Sequence, residues 1–263
     1  MGEASPASAV TIVNAGGASP YLLLCEHASN HIPDAYAGLG LAERDLRRHI
    51  AWDIGAADLA RGLSRRLDAP LVLSGYSRLM IDCNRPPGAP TSIPVRSEAT
   101  DIPGNLDLGP DERAWRESAY FAPFHAAVTR LLDQRADEGR RTIVVGVHSF
   151  TPVFLGVARP WPVGVLYGRA ERFGRALIER LGVELGPDAP VGDNEPYRIE
   201  PEEHDYTVPV HGDARGLDAA LLELRQDVIA SAAEAEAWAA RLAPVFADVA
   251  REDGATPRSG NTR

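Results

Sequence analysis

The sequence has 263 residues, of which 44% are hydrophobic and 24% are charged, and its formal net charge is −10 at pH 7. This length and composition predict one large domain with a substantial core. The acidic balance, without any basic cluster, argues against nucleic acids and membrane surfaces as partners, although a local arginine pocket can still bind a small anion.

The compartment and the domain limits can also be predicted. Two cysteines, Cys25 and Cys83, are too few for a disulfide framework and fit buried free thiols in a reducing compartment. We find no signal-peptide pattern and no apolar stretch of the ~20 residues that a membrane helix needs, so we predict a cytoplasmic protein. Residues 1–18 and 253–263 have the composition of disordered tails, which leaves 19–252 as the domain.

The apolar run Tyr21 to Cys25 predicts a short buried strand, and it leads directly into Glu26 and His27. Ala42 to Leu67 then predicts a long amphipathic helix with Asp53 on its apolar stripe. A carboxylate on the buried side of a helix needs a metal, a cation or hydrogen-bond donors, because leaving it unpaired costs several kcal/mol. Pairing with an arginine or a backbone end is the structural alternative.

The remaining pattern alternates strands with helices. Further strands are predicted at 70–74, 78–87, 142–147, 163–167 and 219–227, an extended segment at 205–210, and further helices at 111–138, 170–181 and 232–250. Residues 86–110 predict a long loop, and loops of that length are often lids or binding loops. The order predicts a single α/β domain, with a mainly parallel or mixed central sheet flanked by helices on both faces.

Polar residues lie at the ends of several predicted strands. Three of these ends carry Glu26-His27, Asn84-Arg85 and His148-Ser149. A fourth strand places Glu223 between leucines, where a carboxylate is costly unless it has a partner or a function. Because ligands in open α/β sheets bind at the carboxyl ends of the strands, we expect these side chains to share one rim of the sheet.

This set of side chains suits a metal-assisted hydrolysis. Two histidines, one carboxylate and an open fourth position form the ligand set of a catalytic zinc site, which lowers the pKa of a bound water to about 7. A separate carboxylate, for which we choose Glu223, would carry the proton of the water to the leaving nitrogen. An ion pair with Arg225 or another arginine is the structural alternative for Glu223. Arg78, Asn84 and Arg85 would hold a substrate carboxylate, which an arginine fork matches in bidentate fashion.

Other catalytic classes have weaker support. Ser149 follows His148 but lacks the Gly-x-Ser-x-Gly elbow of serine hydrolases. No Gly-x-Gly-x-x-Gly motif or P-loop opens a predicted helix, which removes the usual nucleotide sites. His125 lies at the edge of the apolar stripe of its predicted helix, and we interpret it as a packing or surface histidine.

A series of ordered segments resembles the N-formylglutamate amidohydrolase family. These segments are Glu26 to Ser29, Trp52-Asp53, Ser77 to Pro86, Val147 to Ser149, Asn194 to Tyr197, Tyr206-Thr207 with His211 following, and Leu222 to Asp227. The Asp-x-Asn-Arg-Pro segment within 77–86 is the most specific. The resemblance implies a fold similar to zinc carboxypeptidases and aspartoacylase-like deacylases. It also implies hydrolysis of an N-acyl amino acid, with N-formyl-L-glutamate giving formate and glutamate as the reference reaction.

The resemblance also implies roles for individual residues. By this likeness His27 and His148 would be zinc ligands, although another divalent metal would fit the same set. Glu223 would be the general base, and Asn84-Arg85 would be the clamp for the substrate carboxylate.

One departure from the wider group concerns the third ligand. Zinc carboxypeptidases use a His-x-x-Glu pair, whereas the position three after His27 is Asn30. The carboxylate ligand must therefore come from elsewhere, and Asp53 is our first choice and Glu26 our second. The metal, together with His211 or an arginine, would stabilise the developing oxyanion.

Three hypotheses follow for the function. The first is a zinc amidohydrolase acting on a small anionic N-acyl amino acid. The second is a related deacylase or peptidase acting on a larger N-acyl or cell-wall-type substrate, with 86–110 as a specificity lid. The third is a non-catalytic protein that binds an anion or amino acid. The sequence makes no prediction of the oligomeric state.

Overall fold

A seven-stranded mixed sheet forms the centre of the structure, a computed structural model that describes residues 8–200 and 204–255. The strands of the sheet and of two small hairpins are β1 (Val10–Val13), β2 (Tyr21–Cys25), β3 (Leu71–Ser74), β4 (Arg96–Ser97), β5 (Thr100–Asp101), β6 (Ile143–Phe150), β7 (Val153–Phe154), β8 (Val157–Ala158), β9 (Val163–Leu166), β10 (Val191–Asp193) and β11 (Asp218–Arg225).

Helices and helical turns connect the strands. The α-helices are α1 (Glu43–Leu46), α2 (Ala56–Leu67), α3 (Pro110–Arg116), α4 (Ala122–Asp137), α5 (Glu171–Leu185) and α6 (Ala232–Ala255). Short 3₁₀ segments lie at Asp34–Gly40, Pro103–Asn105, Asp213–Arg215 and Gln226–Val228, and π-helical turns lie at Glu117–Phe121 and Val208–Gly212.

The sheet has the order β1-β3-β2-β6-β11-β9-β10. The four neighbours β3, β2, β6 and β11 are parallel, whereas β1 and β9 run antiparallel to β3 and β11. Helices α2, α5 and α6 pack against one face of the sheet, and α4 packs against the other. This confirms the predicted α/β class, with a mixed sheet covered by helices on both faces.

Burial on both faces explains why the central strands are apolar throughout. Every residue of β2 and β6 is buried, as expected for parallel strands that are covered on two sides. Leu22 and Leu24 of β2 pack on the α4 side, whereas Leu23 and Cys25 pack on the opposite side. Because β2, β6 and β11 are parallel, the polar residues at their carboxyl ends lie at the same edge of the sheet.

The helix predicted for residues 42–67 is wrong in its middle. It is divided into α1 and α2 by a turning connection, in which the Asp53 amide donates a hydrogen bond to the His27 carbonyl oxygen at 3.0 Å. Gly55 has a φ of 79°, and a side chain there would come within 2.1 Å of the Ile229 carbonyl oxygen. Asp53 therefore lies in a loop against the end of β2, and not on the face of a helix.

Two other predicted extended segments have a different backbone. Residues 78–87 are not a strand, since they form turns such as the one closed by the Met80 amide and the Ser77 carbonyl oxygen at 2.9 Å. Their apolar side chains are nevertheless buried on the α4 side of the sheet, which explains the strand-like pattern. Residues 205–210 were also predicted to be extended, but Val208–Gly212 form a π-helical turn.

Parts of both predicted tails belong to strands or helices of the fold. Val10–Val13 form strand β1, paired with β3, so the prediction of disorder for 1–18 is wrong for this part. Val10 and Ile12 pack against the core on the α4 side, which accounts for the added strand. The predicted tail 253–263 begins inside α6, and the residues before 8 and after 255 lie outside the described ranges. No helix within those ranges is both long and apolar enough to cross a bilayer.

Candidate active site and metal centre

A cavity of about 660 Å³ opens at the carboxyl ends of the central parallel strands. This size falls in the usual range for small-molecule sites. The cavity is lined by most of the residues that the sequence selected, namely His27, Asp53, Arg78, Asn84, Arg85, His148 and Glu223. Part of the predicted loop 86–110 also lines it, through residues 91, 94 and 96–98.

His27, Asp53 and His148 meet at the floor of the cavity, and all three are buried. The two Nδ1 atoms are 3.2 Å apart, and Asp53 Oδ2 lies 3.3 Å from His27 Nδ1 and 2.9 Å from His148 Nδ1. Tetrahedral Zn²⁺ with bonds of ~2.0–2.1 Å has its ligand atoms about 3.3 Å apart. The three atoms are therefore spaced as ligands of one metal ion would be.

The outer nitrogen of each imidazole faces a carboxylate. His27 Nε2 lies 2.7 Å from Asp82 Oδ1, and His148 Nε2 lies 3.1 Å from Glu26 Oε2. With a proton on each outer nitrogen, the lone pairs of both Nδ1 atoms would be directed at the Asp53 oxygen. Three mutually repelling acceptors at this spacing fit a cation between them, and carboxylate–histidine pairs are typical of protein metal sites.

The carboxylates of the site concentrate negative charge around the two imidazoles. Burial opposes a positive charge on His148, but the carboxylates of Glu26 and Asp53 outweigh it and raise the pKa of the imidazole well above its ordinary value. Burial likewise opposes the ionised form of Asp53, yet His27 and His148 lower the pKa of that carboxyl. The site therefore favours positive charge beside a carboxylate that stays ionised.

Of the two carboxylates that face the outer nitrogens of the histidines, Glu26 and Asp82, only Glu26 was selected from the sequence. Glu26 was our second choice as a ligand, but its Oε2 faces the outer nitrogen of His148, and its Oε1 accepts a hydrogen bond from the Thr207 hydroxyl. The geometry therefore favours Asp53 as the third ligand. We did not select Asp82, although it lies inside the Asp-x-Asn-Arg-Pro segment that carried the resemblance.

Glu223 lies beside the trio and is 5% exposed. Its Oε2 has no hydrogen-bond partner, and no arginine in the described ranges lies within ion-pair distance of its carboxylate. The predicted alternative, a pair with Arg225, is wrong because Arg225 binds Asp227 at 2.7 Å. Burial, only partly offset by His148, raises the pKa of Glu223 to about 7. A group of this kind can accept and release a proton near neutral pH.

Two members of the predicted carboxylate clamp already have partners inside the protein. Arg78 pairs with Asp82 at 2.6 Å and with Asp53 at 3.5 Å, so it offsets the negative charge of these two carboxylates. The side-chain oxygen of Asn84 accepts a hydrogen bond from the Thr207 amide at 2.9 Å and thereby fixes the segment that follows 204. Although both residues line the cavity, these contacts indicate structural roles and do not support the predicted clamp.

Arg85 retains free hydrogen-bonding capacity. One nitrogen, Nη1, donates to the carbonyl oxygens of Asn84 and His204. No carboxylate within the described ranges lies at ion-pair distance from Arg85. Arg198 also lines the cavity and has no hydrogen-bonding or ionic partner in those ranges. The cavity thus presents two cations that can receive an anionic substrate.

The structure places His211 outside the cavity lining. Its Nε2 lies 2.8 Å from Nδ1 of His125, whose own Nε2 lies 2.8 Å from the Cys83 carbonyl oxygen. Burial lowers the pKa of His125 to about 3 and that of His211 to about 4, so both are neutral packing groups. Because His211 does not line the cavity and stacks on His125, the geometry does not support the direct catalytic role predicted for it. The packing interpretation of His125 agrees with these contacts.

Comparisons with known proteins place the chain in a family. The family model described as N-formylglutamate amidohydrolase matches residues 19–230. A gene product of Agrobacterium tumefaciens of known structure is 39% identical, with 94% of this chain and 96% of that chain covered and a TM-score of 0.89. An N-formylglutamate amidohydrolase from Ralstonia eutropha JMP134 has the same fold at 18% identity, with coverages of 92% and 98% and a TM-score of 0.65. A search of curated proteins found no significant match. The chain belongs to the N-formylglutamate amidohydrolase family.

Proposed function

We propose that this protein is a zinc-dependent hydrolase that converts N-formyl-L-glutamate to formate and L-glutamate. One observation carries the proposal: the trio His27, Asp53 and His148 lies on the cavity floor beside the unpaired carboxylate of Glu223. Membership of the family supports hydrolysis of the amide bond of an N-formylglutamate-like substrate.

The donor set of the trio suits Zn²⁺. When bound there, the ion would polarise the acyl carbonyl and lower the pKa of a water molecule to about 7. Asp82 would hold His27 in one tautomer through its hydrogen-bond contact at 2.7 Å, and the Glu26 carboxylate faces the outer nitrogen of His148 at 3.1 Å. Partners of this kind fix the ring orientation and increase the basicity of the ligand nitrogen.

Glu223 is the base in this proposal. Its carboxylate takes a proton from the attacking water while the water oxygen forms a bond with the acyl carbon. The same proton then passes to the amide nitrogen, the carbon–nitrogen bond breaks, and the amino acid leaves with a neutral amine. A pKa of about 7 suits both steps, because the group must accept the proton first and release it afterwards.

Arg85 and Arg198 bind the anionic end of the substrate. Glutamate carries two carboxylates, and the cavity offers two guanidinium groups without carboxylate partners in the described ranges. Arginine is suited to this task because its planar fork donates two parallel hydrogen bonds to one carboxylate. We place the reaction in the cytoplasm, on the support of two buried free thiols, Cys25 and Cys83.

The test combines metal analysis with a substrate panel. The purified protein is loaded with zinc, dialysed and assayed on N-formyl-L-glutamate, N-formyl-L-aspartate, N-acetyl-L-glutamate and N-formyl-L-leucine. We expect about one zinc per chain and the highest kcat/KM with N-formyl-L-glutamate. A preference for larger acyl groups would instead support a related deacylase. Protein that neither retains zinc nor hydrolyses any member of the panel would support a binding protein.

A further inference from the structure

Arg159 is a buried arginine that supports the wall of the cavity. It is 9% exposed, and none of the described carboxylates lies within ion-pair distance of it. Its guanidinium instead lies over the rings of Phe154 at 4.7 Å, Tyr197 at 4.6 Å and Phe150 at 5.8 Å. These three aromatic residues line the cavity, so Arg159 packs directly behind its aromatic wall.

The hydrogen bond between Arg159 and Tyr197 has a fixed direction. Arg159 Nη1 lies 2.9 Å from the Tyr197 hydroxyl, and a guanidinium can only donate. The tyrosine oxygen is therefore the acceptor, and its own O–H must find an acceptor elsewhere. No acceptor for it lies within hydrogen-bond distance among the residues 8–200 and 204–255. Tyr197 is 43% exposed and borders the cavity, so this proton is available to a ligand.

The backbone that carries Tyr197 is fixed next to Glu223. Gly164 of β9 lies opposite Glu223 in the sheet, and a side chain at Gly164 would come within 2.0 Å of the Glu195 carbonyl oxygen. The absence of a side chain at Gly164 therefore lets the segment before Tyr197 lie directly on this strand. Burial, and then the Glu223 carboxylate, raise the pKa of Tyr197, so its phenol stays protonated at neutral pH.

We propose that Tyr197 is a substrate-binding hydroxyl that donates a hydrogen bond to the acyl oxygen as negative charge develops on it, and that Arg159 is its positioning residue. No proton is transferred, since the hydroxyl keeps its hydrogen throughout. The proposal rests on the proposed amide hydrolysis. It gives Tyr197 the role of stabilising the oxyanion, for which the sequence analysis suggested His211. Donors that are already oriented stabilise such charge effectively, because they need not reorganise during the reaction.

Kinetics of single and double variants test the two roles. We expect Tyr197→Phe to lower kcat about ten- to a hundredfold, the range for a hydrogen bond to a charged group, with KM changed less than threefold. Arg159→Met should lower kcat by a similar factor, and the double variant should be no slower than the slower single variant, because both changes remove the same interaction. Additive effects would overturn the positioning role. The matched control is Tyr36→Phe, because the Tyr36 phenol lies beside Arg116 and does not line the cavity.

Binding of inorganic phosphate provides a readout that does not depend on turnover. Phosphate is a tetrahedral oxyanion, and its affinity for the zinc-loaded protein can be measured by titration calorimetry. We expect Tyr197→Phe to weaken phosphate binding about tenfold or more, and Tyr36→Phe to leave it unchanged. Equal affinity in wild type and Tyr197→Phe, or binding to neither, overturns the proposal. A wild type that hydrolyses no panel substrate would overturn the proposed function. In that case, the difference in phosphate affinity between wild type and Tyr197→Phe would still show whether Tyr197 binds an oxyanion.

Discussion

Glu223 of β11 lies directly opposite His148 of β6 in the parallel register of the central sheet. Neighbouring residues in register point to the same face of a sheet, so the proposed base and a proposed metal ligand enter the cavity side by side. Both are held by the backbone ladder of buried strands, and their separation does not depend on a loop. Rigid placement of this kind is what proton transfer to and from a water molecule requires.

The first prediction concerns Glu223. Glu223→Gln keeps the shape of the side chain but cannot take the proton, so kcat should fall by about 10²–10⁴-fold. Zinc content should stay at that of the wild type, because the three ligand atoms are untouched. Metal analysis and kcat measured on the same preparation check both statements. Glu171→Gln, a change at an exposed residue of α5, is the control, and full activity of Glu223→Gln would remove this residue from the mechanism.

The second prediction concerns Asp82, which holds the outer nitrogen of His27. Asp82→Asn should weaken zinc binding about 10–100-fold, because the ring loses the carboxylate that orients it and makes its inner nitrogen basic. Competition with a zinc chelator measures the change. Asp101→Asn should have no effect, since Asp101 is an exposed residue paired with Arg96. Zinc affinity unchanged in Asp82→Asn would show that the His27–Asp82 contact is irrelevant to the metal.

The third prediction separates two arginines that line the same cavity. Arg85→Met should raise KM for N-formyl-L-glutamate about 10–100-fold, since a hydrogen bond to a charged group contributes about 1.5–3 kcal/mol. Arg78→Met should mainly lower stability, by about 3 kcal/mol, because it leaves the buried Asp82 and Asp53 without their cation. Kinetics and urea unfolding of both variants provide the comparison. The reverse pattern would exchange the roles given to the two residues.

The fourth prediction concerns acid stability and the pair His125 and His211. Their pKa values are lowered to about 3 and 4, whereas an unfolded chain protonates histidine near 6.5. Their contribution to stability is therefore complete above pH 6.5, and it decreases as the pH falls toward 4, because only the unfolded state gains protons. At pH 5 each histidine should account for a loss of about 2 kcal/mol.

Urea unfolding of His125→Gln between pH 7 and pH 5 tests this linkage. The variant loses one buried neutral imidazole, so its stability should decrease with acid by about 2 kcal/mol less than that of the wild type. His31→Gln, a change at an exposed histidine, should follow the wild type. Parallel pH profiles for His125→Gln and wild type would mean that His125 is not held neutral by the fold.

The sequence pattern predicted the buried strands β2, β6 and β11, because continuous apolar runs are typical of strands that are covered on both faces. The same kind of pattern at 78–87 predicted a strand where the structure has turns. The sequence pattern selected Asp53 for a reason that the fold does not support, since this residue lies in a loop and not on a helix stripe. The structure nevertheless buries this carboxylate beside His27 and His148. A buried acid must be paired with something, whichever backbone carries it.

Other parts of the site could not be predicted from local pattern. Asp82 acts on His27 through a turn, and a turn has no periodicity that would indicate which side chains meet. His211 was selected by its place in the resemblance, but a π-helical turn directs it toward His125. Arg159 and Tyr197 are joined by a contact between separate loops, which only the three-dimensional fold brings together.

The most direct test of the account is the zinc stoichiometry of the wild type and of Asp53→Ala after loading and dialysis. We predict about one zinc per wild-type chain, and none retained by a folded Asp53→Ala variant, because only two imidazole nitrogens would remain as ligands. A wild type that retains no zinc, or a variant that retains one per chain, would contradict the assignment of His27, Asp53 and His148 as the metal centre.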